Sequence, residues 1–327
     1  MGGSRTDALV TGGAGFIGSH LVDALLQRGL SVRVIDNLTS GSVDNIRNHR
    51  GNPRFSFLLG DLMNPEDARR AVDGCRLVFH LAANPEVRTS SVQPERHFQQ
   101  NVLATYTLLE AVRRVEGVEA LVFTSSSTVY GEARRLPTPE TYAPLKPISV
   151  YGACKLACEA LITSYAHNYG FRAVIYRLAN IVGPRSRHGV IYDFIQKLMR
   201  NREELEILGD GTQTKSYLYV DDCIRAMLLG LEASRESVEI FNVGSEDWVN
   251  VGEIARVVAE EMGVRHVKFR FTGGVDGGRG WRGDVKQMLL SVERLRRLGW
   301  KPKYNSLEAV RRAARELIRE LNATHTI

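Results

Sequence analysis

Cysteine is scarce in this sequence, and the few cysteines form no recognisable site. The chain has 327 residues and only four cysteines, with no C-x-x-C pair and no Cys/His cluster at zinc-binding spacing. A disulfide-rich secreted domain and a zinc site are therefore not expected, and neither is any other metal site. The cysteines, which we expect to be reduced thiols in the cytoplasm, are Cys75, Cys154, Cys158 and Cys223.

Long apolar runs and long basic runs are also missing. No apolar stretch approaches the ~20 residues needed to span a bilayer, and the N-terminal region shows no signal-peptide pattern. The net charge of +6 comes from scattered lysines and arginines. We therefore expect a cytoplasmic protein with neither a membrane nor a nucleic acid as partner. Residues 1–4 are set aside from the fold prediction.

What the sequence does contain is a regular alternation of short apolar runs and longer amphipathic stretches. The apolar runs predict strands at residues 8–11, 31–35, 55–59, 76–80, 120–124 and 173–177. The longer stretches predict helices at residues 15–28, 93–115 and 150–169. This alternation is typical of an α/β fold with a doubly wound parallel sheet of the Rossmann type.

The pattern changes after about residue 180. Helices are predicted near residues 190–199, 220–231, 251–262 and 306–321, a strand at 239–243, and a mobile glycine-rich loop at 272–283. We therefore predict a dinucleotide-binding Rossmann domain over residues 5–180, with a returning segment at about 217–245. Residues 181–216 and 246–327 are predicted to form a smaller, partly interleaved α/β domain that binds the substrate.

The first chemical signal is a glycine-rich turn, TGGAGFIG at residues 11–18, between the first strand and the first helix. Gly12, Gly15 and Gly18 allow close approach of a pyrophosphate, which the helix N-terminus stabilises. Asp36 ends the second strand, where a carboxylate binds the ribose diol of NAD and repels the 2′-phosphate of NADP. Asp61 either contacts the adenine or is a simple turn residue. NAD is therefore the predicted cofactor.

The second signal is Tyr151 and Lys155 in a predicted helix, where residues four apart share a face. A tyrosine with a pKa near ~10 acts as a base at neutral pH only if nearby positive charge lowers that pKa. Lys155 and an oxidised nicotinamide would supply the charge. Tyr142 and Lys146 have the same spacing, but Pro144 between them disfavours a helix. Without the glycine turn, an exposed helical tyrosine and lysine would be an equally good interpretation.

The third signal is a run of hydroxyl residues from Thr124 to Thr128, at the carboxyl end of the fifth predicted strand. Ligands of doubly wound sheets bind at that edge. Ser127 is the candidate for hydrogen bonding the substrate hydroxyl and passing its proton to Tyr151. Hydroxyls that merely cap a loop are the alternative interpretation.

Together with FHLAA at residues 79–83 and Asn101 in the following helix, these motifs resemble the extended short-chain dehydrogenase/reductase family. The resemblance covers about residues 8–300, and within the family it is greatest to the UDP-glucose (UDP-galactose) 4-epimerases. It implies NAD-dependent epimerisation at C4 of a UDP-hexose, through a transient 4-keto sugar. It also implies a homodimer, formed by the helices at 93–115 and 150–169.

The resemblance assigns roles to individual residues. The catalytic residues would be Ser127, Tyr151 and Lys155. The residues around NAD would be Gly12, Gly15, Phe16, Ile17, Gly18, Asp36, Asn37, Asp61, Leu62, Ala82, Asn101, Tyr151 and Lys155. The residues that contact the UDP-sugar would be Ser127, Asn180, Lys215, Arg279, Arg282, Asp284 and Met288.

Two positions depart from the family pattern. Lys215 stands where arginine is usual, so that a point charge would replace a bidentate phosphate contact. Trp281 stands where another phosphate-binding arginine is common, and Arg279 or Arg282 would compensate.

Met288 falls at the position where, in the resembling family, residue size limits the substituent at sugar C2. Its flexible side chain suggests that the plain hexoses are the main substrates and that the N-acetylated pair is turned over more weakly.

Other functions remain open. Sugar dehydration is disfavoured because Ser127 and the next residue occupy the positions of an Asp-Glu pair in the related 4,6-dehydratases. A UDP-glucuronate 4-epimerase and a UDP-N-acetylglucosamine 4-epimerase are the alternative enzymes. The UDP-glucuronate alternative is suggested by Arg185, Arg187 and His188, which would meet the carboxylate of the sugar. Asn180 argues against this alternative. A non-catalytic NAD-binding scaffold is disfavoured because such proteins commonly lose the catalytic tyrosine or lysine.

Overall fold

The computed structural model describes residues 6–324; residues 1–5, which include the four set aside above, and residues 325–327 lie outside this range. The strands in it are β1 (Thr6–Thr11), β2 (Val32–Asp36), β3 (Phe55–Leu59), β4 (Cys75–His80), β5 (Ala120–Ser126), β6 (Arg172–Leu178), β7 (Asn180–Val182), β8 (Glu204–Ile207), β9 (Thr214–Lys215), β10 (Tyr217–Tyr219), β11 (Val238–Val243), β12 (Val249–Asn250), β13 (Lys268–Phe271) and β14 (Gln287–Met288). The helices are α1 (Phe16–Gln27), α2 (Pro65–Val72), α3 (Pro94–His97), α4 (Ala104–Val112), α5 (Val150–Tyr169), α6 (Val190–Arg200), α7 (Val220–Ala233), α8 (Val251–Glu261), α9 (Glu293–Arg297) and α10 (Ser306–Thr324).

The main sheet, as far as the described residues show it, has seven parallel strands in the order β11-β6-β5-β4-β1-β2-β3. The chain adds β2 and β3 on one side of β1 and then crosses to add β4, β5 and β6 on the other. That reversal is the switch point of a doubly wound sheet, where ligands bind beyond the carboxyl ends of the strands. The predicted Rossmann-type fold is therefore confirmed.

Both faces of this sheet are buried, as expected for parallel strands covered by helices. In β1, Ala8 and Val10 point into one apolar core and Leu9 points into the other. The first core includes residues of α1 and α7, and the second includes Leu108 of α4 and Ile162 of α5. The two cores hold the carboxyl edge of the sheet and the start of α5 in fixed positions.

The second half of the chain is interleaved with the first. Three small sheets, β10-β7, β12-β9-β14 and β13-β8, follow β6 in sequence, and α6, α8 and α10 pack together. Between these elements, β11 returns to pair with β6 of the main sheet, and α7 packs against α1. The strand predicted at 239–243 is therefore confirmed. Among residues 6–324, none of the helices has the length and apolar character that crossing a membrane requires.

Three predicted segments agree with the structure to different degrees. The helix predicted at 150–169 is α5, which begins after Ser149, whose hydroxyl accepts a hydrogen bond from the N–H of Gly152 at 3.1 Å. The single helix predicted at 93–115 is wrong in detail, because a π-helical segment, Phe98–Leu103, separates α3 from α4, which ends at Val112. The loop predicted at 272–283 contains a backbone bridge between Val275 and Arg279, and its mobility stays a prediction.

Candidate active site

The turn between β1 and α1 forms the floor of the candidate site. Gly12 has a φ of +68°, and a Cβ atom there would lie 2.7 Å from the backbone nitrogen of Ala82. A Cβ atom on Gly18 would lie 2.1 Å from the carbonyl oxygen of Gly12. Larger residues therefore cannot replace these glycines without moving the backbone. Gly15, the residue before α1, provides no side-chain cap, so the N–H groups of the first turn of α1 fit an anion such as a pyrophosphate.

Asp36 lies beside this turn, at the end of β2. Its carboxylate accepts hydrogen bonds from the N–H of Leu38 at 2.8 Å and from the N–H of Ala14 at 3.0 Å. Burial raises the pKa of Asp36, while these two N–H donors act in the opposite direction. The carboxylate is thus fixed at the point where the ribose of a dinucleotide would leave the turn.

The neighbouring cofactor candidates gather at the ends of β2 and β3. The Asn37 side-chain amide donates to a carboxylate oxygen of Asp61 at 3.1 Å, and the other oxygen accepts from the N–H of Met63 at 2.9 Å. Leu62 is buried beside them. The structure therefore brings together the residues predicted to surround the adenosine half of NAD.

Asn101 lies in the π-helical segment, on the other side of the switch point. Its side-chain oxygen accepts from the N–H of Asn84 at 2.8 Å, which fixes the amide orientation. Its side-chain nitrogen is buried and has no hydrogen-bond partner in the described part of the chain. A buried donor without a partner is costly unless a bound group accepts from it. Together with the glycine turn, this donor shows that the cleft fits a polar cofactor.

His80, which ends β4, joins the elements around the cleft. It is buried between the Thr11 and Thr105 hydroxyls, at 2.8 and 2.9 Å from its two ring nitrogens. Burial lowers the pKa of His80 to about 3, and the charge of Lys155 acts in the same direction. The ring is therefore neutral at physiological pH and links β1, β4 and α4.

Lys155 reaches the end of β5 from the second turn of α5. Its ammonium donates to the carbonyl oxygen of Thr124 at 2.8 Å, and it lies 4.8 Å from the ring centroid of Phe123 and 5.8 Å from that of Tyr151. Burial lowers the pKa of Lys155 to about 8. The lysine is therefore held next to the predicted base. Because its pKa lies near neutral pH, changes in the surrounding charges alter how much of it is protonated.

Tyr151 is partly buried at the start of α5. Desolvation raises the pKa of Tyr151 well above its usual value, and the hydroxyl of Ser126 acts against that rise. The lowered pKa expected from the Tyr-x-x-x-Lys spacing is thus absent in the protein alone. Burial of the phenol is the largest cause of this raised pKa.

The hydroxyl at the Tyr151 phenol belongs to Ser126, whereas the sequence prediction named Ser127. Ser126 is the last residue of β5, and Ser127 begins the 3₁₀ turn that follows. Ser126 also caps that turn by accepting from the N–H of Thr128 at 3.2 Å. Because the strand ends at Ser126, this residue is directed at α5 while the chain turns away after it. Counting from the strand end would have been the signal for this shift of one residue.

Tyr142 and Lys146, the second pair with the same spacing, lie outside any helix. The Tyr142 hydroxyl accepts from the N–H of Arg134 at 3.1 Å, and its ring packs edge-on against Tyr130. The prediction that Pro144 prevents a helix here is confirmed. This pair is part of the structural framework, away from the cofactor turn.

Several of the predicted substrate residues lie in or next to the small sheets. In β9 and β14, Lys215 lies opposite Met288, and the Lys215 ammonium is 2.5 Å from a carboxylate oxygen of the buried Asp284. The same ammonium lies 5.5 Å from the ring centroid of Trp281. Asn180 begins β7, and its side-chain amide donates to the carbonyl oxygen of Ser216 at 3.1 Å.

The two arginines predicted to compensate for Trp281 behave differently. Arg279 forms an ion pair with Glu132 and donates to the carbonyl oxygen of Asp284 at 3.1 Å. Arg282 is exposed, and no ion pair or hydrogen bond holds it within the described residues. Arg279 is therefore committed to the protein, and Arg282 is the cation that can reorient.

Comparison with known proteins places this geometry in a defined family. Residues 8–244 match the family model described as NAD dependent epimerase/dehydratase family. A putative UDP-glucose 4-epimerase of Methanocaldococcus jannaschii is 36% identical over 310 residues, which cover 93% of this chain and 96% of that protein.

Solved structures agree with this comparison. A UDP-galactose 4-epimerase crystal structure is 46% identical, with a TM-score of 0.86, and the match covers 96% of this chain and 99% of that chain. A UDP-glucose 4-epimerase of Thermotoga maritima, solved with UDP-glucose, is 34% identical, with a TM-score of 0.85, and the match covers 96% of this chain and 99% of that chain.

Proposed function

Since the chain belongs to the NAD dependent epimerase/dehydratase family, we propose that it interconverts the C4 epimers of a UDP-hexose, principally UDP-glucose and UDP-galactose. The observation that carries this proposal is the convergence of Tyr151, Lys155 and Ser126 on one edge of the sheet, beside the glycine turn. Epimerisation at C4 needs one base at the 4-hydroxyl and a redox cofactor that is regenerated in each cycle. The positions of the dehydratase acid pair hold Ser127 and Thr128, which carry no carboxylate.

In this proposal Tyr151 accepts the proton of the sugar 4-hydroxyl, and Ser126 hydrogen-bonds that hydroxyl and relays the proton. Lys155 keeps its positive charge next to the phenol and so favours the phenolate. NAD, when bound, supplies the acceptor and then the donor of the hydride at C4. Because burial raises the pKa of Tyr151, each unit recovered requires about 1.4 kcal/mol of favourable interaction with positive charge.

The cofactor contacts remain those expected from the sequence. The glycine turn and the N–H groups of Phe16 and Ile17 would hold the pyrophosphate, and Asp36 would bind the adenosine ribose. Asn37, Asp61 and Leu62 would surround the adenine. Ala82, Asn101, Tyr151 and Lys155 would line the nicotinamide half of the site.

The diphosphate of the substrate would meet Lys215 and the exposed Arg282, with Asn180 on its other side. Asp284 holds the Lys215 ammonium at 2.5 Å, so the diphosphate would share this cation with a carboxylate of the protein. Trp281, over which this ammonium lies, replaces a charged contact with an apolar surface. Arg279 would orient the loop that carries Trp281 and Arg282, because its guanidinium is paired with Glu132.

The surroundings of two arginines favour a neutral hexose over a uronic acid. Arg185 is 2.8 Å from a carboxylate oxygen of Asp23 in α1, and Arg187 is 3.9 Å from one of Glu320 in α10. Both charges therefore lie near acidic residues of the protein, and the Arg185 Nη1 atom is buried without a hydrogen-bond partner in the described residues. A sugar carboxylate would have to compete with these acidic partners to gain a contact.

Met288 bears on the size of the sugar. It is buried in a small apolar cluster with Tyr130, Ala179 and Leu290. A flexible thioether can change rotamer to admit a C2 acetamido group, but at the expense of its packing. We therefore expect the N-acetylated pair to be turned over more slowly than the plain hexoses.

The larger organisation follows from the same residues. Residues 5–180 and about 217–245 would form the cofactor domain, and residues 181–216 and 246–327 the substrate domain. A homodimer is supported by exposed apolar side chains on the helices from α3 to α4, such as Phe98, Leu103 and Tyr106. The expected location is the cytoplasm.

The proposal is tested by incubating the purified protein with a panel of UDP-sugars and separating C4 epimers by chromatography. The panel contains the glucose and galactose pair, the N-acetylated pair and the uronic acid pair. We expect rapid interconversion of the first pair, slower interconversion of the second and little of the third. Turnover of only the uronic acids, or of no sugar by a protein that binds NAD, would contradict the proposal.

A further inference from the structure

A buried ion pair lies directly behind the catalytic residues. Glu159 is one helical turn beyond Lys155 in α5, and Arg177 lies near the carboxyl end of β6. The two residues are only 4% and 3% exposed. The guanidinium meets the carboxylate at two points, with Nη2 at 2.7 Å from Oε2 and Nε at 3.0 Å from Oε1. This fork geometry fixes both side chains.

The pair also holds the end of β5. The Ser125 hydroxyl donates to Glu159 Oε1 at 2.5 Å, and Ser125 lies opposite Arg177 in the pairing of β5 with β6. Ser125 directly precedes Ser126, the residue at the Tyr151 phenol. Arg177 therefore ties β6, and Glu159 ties α5, to the strand end that presents the reacting hydroxyl.

A second branch leads toward the substrate side of the cleft. Arg177 donates to the Tyr130 hydroxyl at 3.0 Å, and that hydroxyl donates to the side-chain oxygen of Asn242 at 2.8 Å. The Asn242 amide in turn donates to the carbonyl oxygens of Thr138 and Ser291, at 2.9 and 3.1 Å. The network thus joins α5 to the segment that follows Met288.

We propose that the ion pair of Glu159 and Arg177 is a positioning device, which sets the axial position of α5 against the end of β5 and so aligns Tyr151 and Lys155 with Ser126. The inference rests on the proposed function for the meaning of that alignment. Neither residue contacts the reacting atoms, and each acts through its neighbours. The ion pair is needed for this alignment and not for the stability of the fold.

Energetics support a geometric role. Removing two charges from water is expensive, and a well-packed apolar pair of similar volume often gives equal or greater stability. The attraction within the pair is therefore not a sufficient reason for burying two charges here. What an apolar pair cannot reproduce is the fixed fork between α5 and β6 and the hydrogen bond to Ser125.

Glu159 has a second effect, through charge. Desolvation lowers the pKa of Lys155, and Cys158, Cys154 and the Glu159 carboxylate, in that order, act in the opposite direction. The titratable groups around this ammonium in the described chain are His80 of β4 and Tyr151, Cys154, Cys158 and Glu159 of α5. Loss of the Glu159 charge should lower the pKa of Lys155 below about 8, so that the lysine loses its proton at a lower pH.

The test compares Glu159→Gln and the double variant Glu159→Met with Arg177→Met against the NAD-bound wild type. We expect kcat to fall by about tenfold to a hundredfold in both, with little change in KM. The alkaline limb of the kcat profile of Glu159→Gln should move to lower pH, whereas the double variant, which loses a negative and an adjacent positive charge together, should keep the limb close to its wild-type position. NMR titration of ¹³C-labelled lysine should show the same shift for Lys155 in Glu159→Gln, which is a readout independent of turnover.

The double variant separates position from stability, because two methionines can restore the melting temperature even if Glu159→Gln folds poorly. Glu261→Gln is the matched control, since Glu261 accepts from Arg311 and Arg315 at 3.0 Å between α8 and α10, far along the chain from α5. Its pH profile should equal that of the wild type. A stably folded double variant with wild-type kcat overturns the proposal. A wild type that binds NAD but turns over no UDP-sugar would instead reject the proposed function.

Discussion

At the scale of single residues, Tyr151 is a buried phenol that needs nearby positive charge to act as a base. Desolvation raises its pKa, and only Ser126 opposes this in the protein alone. Turnover therefore depends on positive charge that surrounds the phenol when cofactor and substrate are bound. The other tyrosine at the same spacing, Tyr142, cannot replace it, because Tyr142 lies outside any helix and its hydroxyl accepts a hydrogen bond from the N–H of Arg134.

Tyr151→Phe should lower kcat by about 10²- to 10⁴-fold, since it removes only the hydroxyl that accepts the proton. Binding of NAD and of UDP-sugar, measured by titration calorimetry, should change little. Tyr142→Phe is the matched control and should retain nearly full kcat. If the control lost more activity than Tyr151→Phe, the catalytic helix would be misassigned.

Ser126 and Ser127 offer a sharper comparison, because they are adjacent and chemically identical. Ser126→Ala should lower kcat by about tenfold to a hundredfold, the cost of one hydrogen bond to a developing charge. Ser127→Ala should have a smaller effect, since Ser127 lies in the turn after the strand. Steady-state kinetics at saturating UDP-galactose measures both. The opposite order would restore Ser127 as the relay.

The sequence predicts some residues of the site well and others poorly, for physical reasons. Gly12 and Asp36 are predictable because the turn and the strand end impose strict local requirements. Ser126 lies between two other serines, so residue type alone does not identify it as the one at the Tyr151 phenol. Only the position at which β5 ends identifies it. The pairing of Glu159 with Arg177 is also invisible, because it joins a helix and a strand whose contact only the fold creates.

At the scale of elements, regular segments with clear ends are the predictable ones. α5 occupies the predicted residues because Ser149 caps its start and Gly170 follows its last residue. The π-helical segment before α4 could not be predicted, because one extra residue in a helix leaves the apolar pattern almost unchanged. Strands of two or three residues, such as β9 and β14, are too short to show an alternation.

The same helices lead to a prediction about assembly. Phe98 is 55% exposed on the face that would meet a second subunit, so Phe98→Glu should shift a dimer to monomer by burying a charge. Trp248→Glu is the control, because Trp248 is a comparably exposed aromatic residue outside these helices. Sedimentation velocity measures both variants. Equal behaviour of the two variants, or a monomeric wild type, would show that the apolar face has another role.

At the scale of the whole molecule, the order of the main sheet follows from the alternation of strands and helices, and β11 returns as the sequence pattern indicated. The two halves are interleaved, because β11 pairs with β6 and α7 packs against α1. A transient 4-keto sugar would stay bound to this site while it turns over. The central claim is therefore that one hydrogen leaves C4 and returns to C4 within the same site.

The most direct test of that claim uses UDP-galactose that carries deuterium at C4, incubated with the purified NAD-bound protein in ordinary water. The account predicts UDP-glucose that retains the deuterium at C4, as measured by mass spectrometry and NMR, because the hydrogen does not exchange with solvent. Product that carries a solvent hydrogen at C4, or formation of a dehydrated sugar, would contradict epimerisation in which hydride leaves C4 and returns to C4 while Tyr151 accepts the proton of the 4-hydroxyl.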